Sequence, residues 1–109
     1  MFARRVYVRL KIDSAAEFTH KIENEIIPLL RKQSGFQDEI TFVGIGGKEA
    51  FSLSLWDKAE NAEAYNRVAY PEAAKIMATV IEGIPRVETF DVGNSTFHKI
   101  APPVASKVQ

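Results

Sequence analysis

Apolar and polar residues alternate with a period of two over residues 2–12. Val6, Val8, Leu10 and Ile12 fall on one side, and Arg5, Tyr7, Arg9 and Lys11 on the other. That period predicts a β-strand with one apolar face. Asp13-Ser14 interrupts it, and Ser14 with Glu17 forms the S-x-x-E pattern of a capping box, which satisfies free N–H groups at a helix start. Phe18, Ile22, Ile26 and Leu29 then recur at helical spacing, with Ile27 and Leu30 widening the stripe. Pro28 predicts a kink within this helix, and Gly35 a left-handed stop after it.

Residues 36–43 and 49–56 read as two further strands joined through Gly44, Gly46 and Gly47, a hairpin pattern. On hydrophobicity, Ile40, Phe42, Phe51, Leu53 and Leu55 face the core, while Glu39, Thr41, Ser52, Ser54 and Trp56 face away. Asp57 with Glu60 repeats the capping-box pattern before a second helix carrying Ala62, Tyr65 and Ala69. Tyr70-Pro71 forces a break and restart, because proline fits the first turn of a helix but not its interior. Ala73, Met77, Val80, Ile81 and Ile84 continue the stripe until Gly83 and Pro85, and residues 86–92 form the fourth strand. The order β-α-β-β-α-β predicts an α+β, ferredoxin-like antiparallel sheet with both helical segments on its apolar face. Residues 1–100 form one domain in this reading, and 101–109 a flexible tail.

The second face of that sheet is expected to carry Tyr7, Arg9 and Trp56 among complementary charges. Either it meets solvent, as antiparallel sheets do on one side, or it pairs with a second copy. Exposed large aromatics are enriched at interfaces, and an isologous patch of Arg and Glu suits a two-fold axis. Tyr7, Arg9 and Trp56 are therefore the candidate homodimer contacts.

Composition narrows the chemistry. Fourteen Lys and Arg balance fourteen Asp and Glu over 109 residues. That balance disfavours nucleic acid or an anionic membrane as the partner. There is no cysteine and there are only two histidines, His20 and His98. Disulfides, thiolate catalysis and Cys-based metal sites are thereby excluded, and no cofactor or metal is expected. The start MFARRVYVRLKID lacks an apolar signal core, so a cytoplasmic location is expected. The run Gly44-Ile45-Gly46-Gly47 lies between strands and lacks the spacing of a dinucleotide fingerprint.

Tyr65 and Tyr70 are the candidate catalytic residues. A phenol on a helix that covers an apolar sheet hydrogen-bonds a ligand while its ring packs; both also suit a plain core or rim role. Asn66 and Arg67 lie beside Tyr65. Val8, Leu10, Phe42, Phe51 and Leu53, with Asn66, are the candidate lining of a pocket for a small apolar or aromatic ligand. His20 and His98 read as surface residues, His98 with the option of reaching a partner.

The segments IIPLLRKQSGF (26–36), LWD (55–57), EAY (63–65) and YPE (70–72) resemble the antibiotic biosynthesis monooxygenase superfamily over about residues 4–95. The resemblance implies a dimeric α/β-barrel with a pocket between each sheet and its helices. It also implies chemistry such as oxygenation of phenols or quinols by O2 without metal or flavin. The haem-degrading branch would place its asparagine on Val8, its tryptophan on Tyr65 and its histidine near Lys75, and all three differ. The quinol oxygenases place an aromatic pair near Tyr65 and Tyr70, of which the tryptophan is absent. A cofactor-independent monooxygenase-like protein is the leading expectation. The alternative is a dimeric binding or structural barrel. An isomerase of phosphorylated metabolites is a lesser option, resting on Arg4 at the strand's edge.

Overall fold

The computed structural model describes residues 1–101. The chain runs β1 (Phe2–Leu10), α1 (Ala15–Lys21), a π turn (Ile22–Ile26), α2 (Ile27–Arg31), β2 (Phe36–Val43), β3 (Glu49–Trp56), α3 (Ala59–Val68), α4 (Tyr70–Met77) and β4 (Ile81–Asp91). All strand pairs are antiparallel, in the order β2-β3-β1-β4. This is the ferredoxin-like α+β arrangement that the alternation of periods predicts. The tail expected over 101–109 lies, after Ala101, outside the described residues.

The core is packed between the sheet and the helices. Val6, Val8 and Leu10 of β1 and Ala50 and Trp56 of β3 meet Phe18, Ile22, Ile26 and Leu30 of the first helical segment. Ala62, Tyr65, Ala73 and Met77 cover them from the second.

Hydrophobicity misassigns the faces of β2 and β3. Antiparallel partners share a face, and Val6 lies opposite Ser52, Arg4 opposite Ser54 and Phe2 opposite Trp56. Glu39 and Thr41 pair with Ser54 and Ser52, so they too face the helices. Ile40, Phe42, Phe51 and Leu53 consequently lie on the open face with Arg5 and Tyr7. Trp56 is 0% exposed and sits between sheet and helices rather than on the open face with Tyr7. The helix-facing positions of these strands are mostly polar or small, so alternation favours the open face, and it is the pairing with β1 that sets the true one.

Other expectations shift locally. Strand β1 ends at Leu10, leaving Ile12 exposed beside Asp13, which takes a positive φ of 57°. Neither capping box forms. The Ser14 hydroxyl donates to the Ile12 carbonyl, and Asp57 accepts from the Asn61 side chain at 2.8 Å. Helix α4 stops at Met77, and Gly83, Ile84 and Pro85 lie inside β4, opposite the single residue Val8, as an irregularity of the ladder. An edge strand tolerates a proline and a positive-φ glycine there. The break at Tyr70-Pro71 and the left-handed Gly35 (φ 80°) are as expected.

Candidate functional site

The site begins with the parity of β1. Arg4 shares a face with Val6, Val8 and Leu10, so the central strand carries a guanidinium under the helices rather than at an edge. Arg4 is 3% exposed. Its Nη2 donates to Asn66 Oδ1 at 2.7 Å. Its Cζ stands 4.2 Å from the centroid of the Tyr70 ring and 5.2 Å from that of Tyr65. Among the described residues no carboxylate forms an ion pair with it. Burial draws its pKa down, while the two phenols act against that.

Tyr65 and Tyr70 are supplied by the end of α3 and the first residue of α4, and the break at Ala69 brings their rings together, 6.2 Å apart and edge-on. Tyr65 also packs on Trp56 at 5.3 Å. Trp56 in turn donates from Nε1 to Ser54 Oγ at 2.9 Å. Burial pushes the Tyr65 phenol up to about 12 and raises Tyr70 as well; Arg4 opposes both shifts. Both phenols are therefore neutral donors at neutral pH.

Glu39 of β2 completes the ring of polar groups. The Thr41 hydroxyl donates to its Oε2 at 2.5 Å, and burial raises its pKa. Arg4, Glu39, Ser52, Ser54, Tyr65 and Tyr70 line one cavity with Val6, Ile26, Leu30, Ala73 and Met77. Its volume is about 20 Å³, room for one water molecule. Glu39 also lines a groove of about 610 Å³ between the first helical segment and β2, with Ile22, Ile27, Pro28, Arg31 and Thr41. On its other side Arg4 borders a depression of about 210 Å³ between α3 and β4.

The structure brings Tyr65, Tyr70 and Asn66 together at Arg4. Val8 and Leu10 are buried in the core but do not line the cavity; Val6 does. Phe42, Phe51 and Leu53 do not join them, since they lie on the opposite face of the sheet. There Phe42 and Phe51 stack at 4.8 Å, and Arg5 lies over the Phe51 ring at 4.4 Å. Tyr7 donates to Glu49 at 2.5 Å on the same face, and Arg9 is exposed. Among the described residues the His20 ring hydrogen-bonds with Asn24 alone, whereas His98 meets Asp38 of β2. Sequence reasoning undervalued Arg4, although its parity with Val6 was visible. It missed Glu39, for which no local signal exists. Among the described residues, no three His, Cys, Asp or Glu side chains converge to hold a metal ion, and no helix is long and apolar enough to cross a membrane.

No family model and no curated protein matches the sequence. Solved structures do. A protein of unknown function from Nitrosomonas europaea superposes with a TM-score of 0.72 at 16% identity, covering 87% of this chain and 91% of its own. A putative antibiotic biosynthesis monooxygenase from Bordetella bronchiseptica gives 0.71 at 13%, covering 84% and 95%. A MhuD variant with manganese protoporphyrin IX bound gives 0.71 at 13%, covering 88% and 98%. The chain has the fold of structures named as putative antibiotic biosynthesis monooxygenases, as the sequence resemblance implied.

Proposed function

We propose that this chain is a cofactor-independent monooxygenase-like enzyme acting on a small phenolic or quinol-type substrate at the Arg4–Tyr65–Tyr70 site. One observation carries the reading: a buried guanidinium, bracketed by two phenols, has an amide for a partner and no carboxylate. Such a group stabilises negative charge that arrives with a ligand, and low dielectric strengthens the effect. A phenol or anthrone that loses a proton becomes an electron-rich anion able to react with O2. In the overall reaction one oxygen atom enters the substrate and the other leaves as water. The four electrons come from the substrate, whose phenolic C–OH and one ring C–H both become carbonyls of the quinone product. Tyr65 and Tyr70, as neutral donors, orient the substrate oxygen beside Arg4. The groove of about 610 Å³ is large enough for a bicyclic or tricyclic ring, and the inner cavity admits only its smallest polar end. The open sheet face, with Tyr7, Arg9, Phe42, Phe51 and Leu53, serves as the contact with a second copy.

A second reading has one observation behind it. The space directly between sheet and helices is about 20 Å³, as in a filled barrel. Under this reading the chain is a dimeric binding or structural protein whose groove takes an apolar metabolite.

Oxygen uptake by the purified protein decides between them, measured against hydroquinones, naphthols and anthrones. The oxygenase predicts uptake above the spontaneous rate. Arg4→Met should lower it by about 10²-fold, the usual loss for one oxyanion donor. Tyr70→Phe should lower it by about tenfold, one hydrogen bond's worth. No uptake across the panel moves the weight to the binding protein.

A further inference from the structure

Glu39 occupies a position that packing does not explain. Most carboxylates on an outer strand point to water, yet this one faces the helices and lines both the inner cavity and the groove. Among the described residues it is the only carboxylate lining the cavity that holds Arg4, Tyr65 and Tyr70. Thr41 donates to Oε2, which fixes the carboxyl plane and leaves Oε1 for another proton.

The geometry points to Glu39 as the general base that takes the proton from an acidic hydroxyl (a phenol, naphthol or enol) entering by the groove. This rests on the proposed function and deepens it by supplying the step that creates the anion. In that step the substrate O–H bond breaks, the proton moves to Glu39, and the electron pair stays on the substrate oxygen. No oxidant or co-reactant takes part. The charge of the site is conserved: one negative charge moves inward from Glu39 to the substrate oxygen, towards Arg4.

The surroundings suit the task. Arg4 reaches towards the site from β1, Tyr65 from α3 and Tyr70 from α4. Glu23 of the π turn and Arg31 of α2 line the groove side, and Asp38 precedes Glu39 on its own strand. Burial raises the carboxyl's affinity for a proton, the direction a base for weakly acidic hydroxyls requires.

The test uses a nitrophenol, whose phenol and phenolate forms differ in absorption, and the full-length protein. Below the nitrophenol's own pKa, wild type should bind it as phenolate with no proton released to the buffer, because Glu39 keeps the proton. Glu39→Gln should bind it as neutral phenol, and Glu39→Asp should give an intermediate phenolate fraction. Oxygen uptake with a naphthol should fall by about 10²-fold in Glu39→Gln at neutral pH. It should recover as pH approaches the naphthol's own pKa, where the base is no longer needed. Equal phenolate fractions in wild type and Glu39→Gln, or neutral phenol bound to wild type, overturn the assignment. The two proposals fail separately. Uptake untouched by Glu39→Gln removes the base and leaves the oxygenase. Glu39-dependent phenolate without any uptake removes the oxygenase and leaves the base.

Discussion

Arg4 keeps its charge under the helices because two aromatic faces and one amide replace the water it has lost. Contacts of this kind are worth roughly 0.5–2 kcal/mol each, so the three together offset much of the several kcal/mol that burying a lone cation costs. Tyr65 gives a measurable counterpart. Its folded pKa of about 12 lies above the ordinary phenol value of 10, so the folded state holds its proton where the unfolded chain has released it. Stability from this group is whole below pH 10 and is lost as pH rises from about 10 to about 12. Urea midpoints should fall across that window in wild type, and more gently in Tyr65→Phe; identical slopes would place the titration elsewhere. At this scale much was legible: Tyr65, Tyr70 and Asn66 stand where the second helical pattern places them. Arg4 was legible by parity alone. Glu39 was not, because its face is set by pairing with β3, a long-range fact that no local pattern encodes.

Among the elements, strand and helix existence follow from period and from Gly and Pro, and the bounds of β2 and β3 come out as read. Where the reading fails, hydrogen bonding across the sheet overrides local chemistry. Ile81 reads as the end of a helix, yet it pairs with Leu10 and opens β4. The first helix shows a related effect. Its buried residues Phe18, Ile22, Ile26 and Leu30 recur every four positions. In a straight α-helix four residues turn through about 400°, so such a stripe drifts by about 40° per step. The wider π turn at 22–26, in which the Ile27 N–H bonds to the Ile22 carbonyl, takes up that drift before Pro28 opens α2. The loop behind it is tighter. A Cβ on Gly35 would come within 2.2 Å of Asp57 Oδ1 and 2.3 Å of Asn61 Nδ2, at a φ of +80°. Gly35→Ala should destabilise the protein by about 2 kcal/mol, read as a lower denaturant midpoint at unchanged slope. A change under a few tenths would show that the 35–57 contact yields easily.

For the molecule as a whole, the open face matters most. Ile40, Phe42 and Phe90 remain 36–46% exposed on it, beside a network in which Arg5 pairs with Glu88 and Arg86 lies over Tyr7. An apolar band edged by charges is the anatomy of a protein interface. Three of the residues expected to line a ligand pocket, Phe42, Phe51 and Leu53, thus fall on the surface proposed for self-association. Wild type should sediment at twice the mass of the chain, and Phe42→Asp should shift it towards monomer at micromolar concentration while leaving the far-ultraviolet dichroism unchanged. A dimer undisturbed by that charge would place the contact elsewhere.

The π turn has one more consequence, for chain length. A stripe spaced i, i+4, i+7, i+11 is what an uninterrupted α-helix needs to keep one face on a sheet; the spacing here is i, i+4, i+8, i+12. One residue between Ile22 and Ile26 is therefore surplus to the packing, and it is held as a bulge in the wall of the groove. Deleting that residue would leave a plain α-helix, so the chain would lose the bulge on the groove side.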